Sequence, residues 1–91
     1  MLSWPYKDPD EDLDYQLDWT AWLSTGETIT VSTFTVLTGD VALGANSVSG
    51  AITTIWISGG TLNTSSVVNN RITTSAGRIA ERSVRLRIRE K

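Results

Sequence analysis

Residues 12–19 alternate without a fault. Leu13, Tyr15, Leu17 and Trp19 share one phase, and Asp12, Asp14, Gln16 and Asp18 share the other. A period of two places the apolar set on one side of an extended chain and the polar set on the other, the pattern of a half-buried strand. Leu13 and Leu17 would also meet on a helix, but Tyr15 and Trp19 would then lie on a different part of it. The strand accounts for all eight residues at once.

The same theme continues along the chain. Gly26 marks a turn, and Thr28 to Leu37 is rich in β-branched residues, which pack well on a pleated surface. Within that run Ile29 and Val31 have one parity and Phe34 and Val36 the other, which predicts a bulge near Ser32-Thr33. Gly39-Asp40 makes the next turn, and Val41 to Leu43 is expected as a short edge strand before Gly44-Ala45-Asn46. Ala51 to Ser58 carries apolar groups in both phases, Ile55 and Ile57 against Ile52 and Trp56, which predicts a central strand or one whose outer face is covered. After Gly59-Gly60, Ser65 to Thr74 is a strand with Val68 and Ile72 inward. Ser75-Ala76-Gly77 then turns the chain into Arg78 to Arg89, where Val84, Leu86 and Ile88 point in and Arg85, Arg87 and Arg89 point out. Six or seven short antiparallel strands with regular turn signals and no convincing helix predict an all-β sandwich.

Residues 1–11 do not share this pattern. Pro5 and Pro9 remove backbone donors and hold Trp4 and Asp8 extended. The expected organisation is an extended N-terminal docking arm over 1–11 and a sandwich domain over 12–91. With 91 residues, a second self-sufficient core is excluded.

Composition narrows the chemistry. The chain has neither Cys nor His. A disulfide and a thiolate metal site are therefore impossible, and the commonest general base and metal ligand are missing. Absent disulfides in so small a domain favour assembly in a reducing cytosol. No apolar run approaches the roughly 20 residues needed to cross a bilayer. Met1-Leu2-Ser3-Trp4-Pro5 does not read as a signal peptide. Asp14 and Asp18, four residues apart on a strand, lie roughly 13 Å apart, too far for glycosidase chemistry. The expectation is a protein that is not an enzyme and uses no cofactor or metal.

Charge is polarised. Residues 1–20 hold six carboxylates against Lys7 alone, and residues 71–91 hold six Arg and Lys91 against Glu81 and Glu90. The acidic cluster Asp8, Asp10, Glu11, Asp12 has the hard oxygen donors of a calcium site but lacks the Gly and distal Glu of a calcium loop, so a solvated or partner-facing patch is the preferred reading. The row Arg85, Arg87, Arg89 has no interleaved aromatics of a nucleic-acid surface and stands in an acidic chain. It reads either as a charged edge guarding against aggregation or as the complement of the Asp12, Asp14, Asp18 row. The two rows are expected to zip across adjacent strands of one sheet or between neighbouring subunits. Of the four Trp, Trp19 and Trp56 are expected in the core, Trp22 at the sandwich edge, and Trp4 at a contact with another chain.

The blocks Trp4-Pro5-Tyr6-Lys7-Asp8-Pro9-Asp10-Glu11 and Leu13-Asp14-Tyr15-Gln16-Leu17-Asp18-Trp19, the step Gly59-Gly60-Thr61 and the element Thr73-Thr74-Ser75-Ala76-Gly77-Arg78 resemble a family of small tailed-bacteriophage virion proteins, immunoglobulin-like fiber-tail adaptors. The resemblance covers nearly the whole chain. It implies an immunoglobulin-like β-sandwich, although Ser65 to Asn70 leaves no tyrosine for the corner such domains often carry. It also implies a virion protein, assembled in the bacterial host cytoplasm, whose partners are tail, neck or fiber subunits in a symmetric ring, with neither nucleic acid nor membrane. The residues expected to bind those partners are Trp4, Pro5, Tyr6, Lys7, Asp8 and Pro9 of the arm and Arg85, Arg87 and Arg89 of the last strand. In that picture Trp4 and Tyr6 fill pockets on a neighbour while Lys7 and Asp8 make charged contacts at the rim. A capsid decoration protein of the same fold, and a glycan-binding module using Trp22, are the alternatives.

Overall fold

A computed structural model describes residues 2–91; Met1, the first residue of the expected arm, lies outside the described residues. Among the described residues every regular element is a strand: β1 Leu2–Ser3, β2 Leu13–Asp18, β3 Ile29–Thr38, β4 Val41–Ser49, β5 Ile52–Gly59, β6 Ser65–Thr74 and β7 Ile79–Arg87. They form two sheets, ordered β1-β7-β6-β3 and β2-β5-β4. The expected all-β sandwich is what the chain forms. The strands pair antiparallel except for the short β1, which runs parallel to β7, and the arm continues that parallel course in a bridge between Lys7 and Ile88.

Alternation dictates which side chains fill the space between the sheets. Tyr15, Leu17 and Trp19 come from β2 and the residue after it; Ile55 and Ile57 from β5; Val68 and Ile72 from β6; Val84, Leu86 and Ile88 from β7 and just beyond it. All are buried, as their phase predicts. The core divides into one cluster around Tyr15, Ile55, Ile57, Leu86 and Ile88 and a second around Leu17, Trp19, Ile72 and Val84. Trp4 packs against both.

A polar bridge also links the two sheets. Asn70 on β6 is buried; its Oδ1 accepts from the Thr53 hydroxyl on β5 (2.7 Å) and from the Trp19 indole (3.1 Å). Its Nδ2 donates to Ser32 Oγ (3.0 Å) and the Thr33 carbonyl (3.2 Å) on β3. Every hydrogen-bonding group of this amide is thereby used, the condition under which a buried polar side chain is tolerated.

Three expectations change. The phase slip in β3 is real, but the register shifts fall between Ile29 and Val31 and between Val36 and Thr38, not at Ser32-Thr33. Thr30 is the extra residue at the first shift, and its hydroxyl donates to the Thr73 carbonyl (3.1 Å). β4 does not stop at Leu43: it passes through an irregularity at Gly44-Ala45 and pairs with β5 as far as Ser49. Trp56 is not core. It lies 43% exposed on the outer face of the three-stranded sheet, because its phase is that of Ile52, Thr54 and Ser58, opposite to Ile55 and Ile57.

Candidate interaction site

The N-terminal segment is laid against β7. Its Trp4 N–H donates to the Arg85 carbonyl (3.0 Å) and its Lys7 N–H to the Arg87 carbonyl (3.0 Å), and the Lys7 carbonyl accepts from Arg89 N–H (2.8 Å). The Trp4 ring lies 5.1 Å from that of Tyr15, and its indole N–H donates to the Gln16 carbonyl (2.9 Å). β2 is an edge strand, so this bond and the one from Arg82 Nη1 to the Asp18 carbonyl (3.0 Å) occupy acceptors that a foreign strand would seek. Trp4 and Arg82 thus close the seam between the sheets.

Lys7, expected at a partner-facing rim, is fully buried. Residues 7–11 fold around its ammonium. Nζ donates to the carbonyls of Asp8 (2.6 Å) and Glu11 (2.7 Å), Asp8 N–H donates to Glu11 Oε1 (2.8 Å), and Asp10 N–H donates to Asp8 Oδ1 (2.9 Å). Desolvation holds the Lys7 pKa below the ordinary lysine value even though Glu11, Asp8, Asp12 and Asp10 all pull it up. Hydrogen bonds from the backbone N–H groups of Asp10 and Lys91 lower the pKa of Asp8, and one from the Asp8 N–H leads the lowering at Glu11. The cation at the centre of this acidic loop is the chain's own. Among the described residues no group of three or more acidic side chains is arranged to hold a metal ion.

The remaining expected partner residues lie at the surface or close to it. Pro5 and Tyr6 are exposed, Asp8 and Pro9 part-buried, and Arg85, Arg87 and Arg89 project outward from β7 and its continuation. Tyr6 has the Lys91 ammonium 5.9 Å from its ring, and with Trp4, Pro5, Leu13 and Tyr15 it lines a groove of about 510 Å³ between the arm and β2. The Tyr15 hydroxyl is buried without a hydrogen-bond partner, and desolvation pushes its pKa up to about 12.

The two charged rows do not zip within the domain. β2 pairs with β5, whereas β7 lies between β6 and β1, so the carboxylates and the guanidiniums stand on different sheets. The ion pairs formed among the described residues are Arg78–Glu27 and Lys91–Glu11.

The other sequence motifs hold loops together. Thr61 donates through its N–H (3.1 Å) and hydroxyl to Asp40 in the β3–β4 turn. Before it, Gly60 sits at φ +96°, where a Cβ would fall 2.7 Å from Ile88 Cγ1. Thr74 and Arg78 both bond Glu27, and the Ser75 hydroxyl accepts from Thr28 N–H (3.0 Å). Hydrogen bonds from the Arg78 side chain first, then from the Thr74 hydroxyl and the Ser24 N–H, hold the Glu27 pKa down at about 2. Trp22, named for a glycan reading, has the Arg78 guanidinium 4.1 Å from its ring.

Sequence reasoning missed two residues. Arg82 has the inward parity of Val84 and Leu86, and its guanidinium lies 4.1 Å from the Trp19 ring. Trp56, expected in the core, stands on the outer face, the position that its phase partners Thr54 and Ser58 signal.

Among known families, the model described as podophage GP4 fiber-tail adaptor protein gp77 matches residues 7–87. No curated protein matches the chain.

Proposed function

Because the chain belongs to the podophage GP4 fiber-tail adaptor family, we propose that it is a non-catalytic structural part of a tailed-phage particle that joins fibers to the tail. The observation carrying this reading is the extent of the match, which begins at the buried Lys7 and ends at Arg87, the last residue of β7. The fold supports it. Asp14 borders the groove between the arm and β2 and Asp18 stands outward at the far end of the strand, so the two carboxylates share no cleft. We also read the domain as immunoglobulin-like: β2-β5-β4 and β7-β6-β3 follow the B-E-D and G-F-C strand orders of that fold.

The contact surface is the arm together with the strand it lies on. Pro5, Tyr6, Asp8 and Pro9 form one side of it and Arg85, Arg87 and Arg89 the other; Trp4 and Lys7 act from beneath by holding the arm in place. An arm already ordered on β7 gives up less conformational entropy on docking than a free one, so more of each contact survives as affinity. Several copies in a symmetric ring, assembled in the host cytoplasm, would multiply such contacts by avidity.

Phage assembled with Tyr6→Ala or with Arg85→Glu/Arg87→Glu test the proposal. Both proteins should keep a native far-UV spectrum, and both should be depleted from purified particles together with the fibers. Normal incorporation of both variants would refute the contact surface. A copy number on the scale of the capsid lattice would refute the tail position and favour decoration.

A further inference from the structure

Trp56 is set apart from the other tryptophans. Trp4 stacks on Tyr15 and bonds Gln16; Trp19 and Trp22 meet edge to face, and each has an arginine guanidinium 4.1 Å from its ring. Among the described residues Trp56 has no aromatic, cationic or hydrogen-bonding partner, and it stands at the middle of the central strand of the three-stranded sheet. Its cross-strand neighbour is Asp14, whose own outward neighbour along β2 is Gln16, followed by Asp18. β2, β4 and β5 carry no basic residue, and the cations at the β2 border are engaged elsewhere, Lys91 with Glu11 and Arg82 with the Trp19 ring and the Asp18 carbonyl.

An exposed indole beside an unpaired carboxylate suits a guanidinium. The ring face attracts the cation, the carboxylate accepts its N–H groups, and a planar fork can do both at once. The chain already uses arginine on tryptophan twice inside its own fold.

The opposite outer face has the matching chemistry. Arg85 and Arg87 on β7 and Arg71 on β6 point away from the core against the single acidic Glu81, which is occupied by Asn69 Nδ2 (3.0 Å). None of these arginines forms an ion pair among the described residues. Val67, the cross-strand neighbour of Arg85, is part-buried and offers an apolar spot beside the guanidinium. Side chains two apart on a strand repeat at about 6.6 Å on both faces, so with Arg85 at Asp14 the next arginine, Arg87, falls at Gln16 or Asp12, one step along the same polar row.

We infer that the outer face of β2-β5-β4, centred on Trp56 and Asp14, receives Arg85 and Arg87 from a second copy of this chain. The contact is heterologous: one copy's acidic face meets the next copy's basic face and leaves a free face at each end, so growth continues into a stack or a ring. It rests on the multi-copy part of the proposed function and names one partner of the Arg85–Arg87 surface.

The absence of cysteine makes the test clean. Thr54→Cys, beside Trp56, and Val67→Cys, beside Arg85, are made as separate full-length proteins, mixed, and oxidised. The mixture should give a disulfide heterodimer that neither variant gives alone, and a chain carrying both changes should give a ladder. Adding Arg85→Glu/Arg87→Glu to the Val67→Cys chain should abolish the cross-link. Adding Asp14→Arg/Asp18→Arg to the Thr54→Cys chain should then restore it. Trp56→Ala on the Thr54→Cys chain should weaken it without altering the far-UV spectrum. Equal yields from either variant alone, or a yield indifferent to charge reversal, would overturn the inference. If the cross-link fails while Arg85→Glu/Arg87→Glu still depletes the protein from particles, the self-contact is wrong and the adaptor surface stands.

Discussion

Replacing Tyr15 by Phe removes a single oxygen from the core, and the structure predicts that the protein gains stability. The ring remains packed among Val41, Ile55, Ile57 and Leu86, with Trp4 against it. The hydroxyl is buried without a partner, so folding strips it of water and returns nothing. A buried group left in that state costs about 1–3 kcal/mol, whereas a bonded one would contribute about 1 kcal/mol. Tyr15→Phe should therefore raise stability by about 1–2 kcal/mol at neutral pH. In a domain of this size that is about 5–10 °C in Tm.

The alkaline limb gives an independent reading of the same oxygen. The Tyr15 pKa is raised from 10.0 to about 12 by burial first and the Glu11 charge second. For an acid whose folded pKa is raised, the unfolded chain loses its proton first. Stability then falls as pH rises from 10 towards 12, by about 2–3 kcal/mol at about 1.4 kcal/mol per unit. Lys7, whose folded pKa is lowered, favours the folded state as pH rises towards its unfolded value of 10.5, and it does so in both proteins. The difference between wild-type and Tyr15→Phe urea curves, taken at steps from pH 7 to pH 11.5, isolates Tyr15. A variant less stable than wild type by more than about 1 kcal/mol at pH 7 would show that the hydroxyl is bonded, since that is what losing a hydrogen bond costs. A difference that stays flat through pH 10–11.5 would refute the burial argument.

Three further perturbations follow from the same geometry. Lys7→Met keeps the buried stem but leaves the Asp8 and Glu11 carbonyls without their donor, and should cost about 3–5 kcal/mol in chemical denaturation. Asn70→Ala removes the acceptor of the Thr53 hydroxyl and leaves the Trp19 indole only its longer bond to Thr53 Oγ1 (3.4 Å), and should cost about 2–3 kcal/mol with an unchanged denaturant slope. Glu27, held at about 2, supplies stability that is present above its unfolded value of 4.5 and lost as pH falls towards 2. Glu27→Gln should therefore flatten the acid limb between those values in a thermal-melt series.

Much of this protein can be read along the chain. Leu13 to Trp19 and Val84 to Ile88 announce strands and their inner faces through period two, because the pleat sends neighbours to opposite sides whatever they pair with. The turns at Gly39, Gly60 and Gly77 follow from residue type in the same way, and the acidic head and basic tail follow from simple counting. Other features come from partners distant in sequence. Alternation shows that Trp56 and Ile55 face opposite ways, but whether the outer side is covered depends on which layers exist. It marks the Asp12 and Arg85 rows as parallel in phase, yet sheet membership separates them, since β2 joins β5 and β7 joins β6. Lys7 looks like a rim charge in a proline-bounded arm. It becomes a buried anchor only when the chain's last strand supplies a backbone for the arm to lie on. Asn70 looks like one of a polar pair and is instead the amide joining both sheets, because its inward phase meets Thr53 and Trp19 across the core. Local sterics and polarity act between near neighbours and so are legible in order. Burial and pairing are properties of the assembled layers, and no window of sequence contains them.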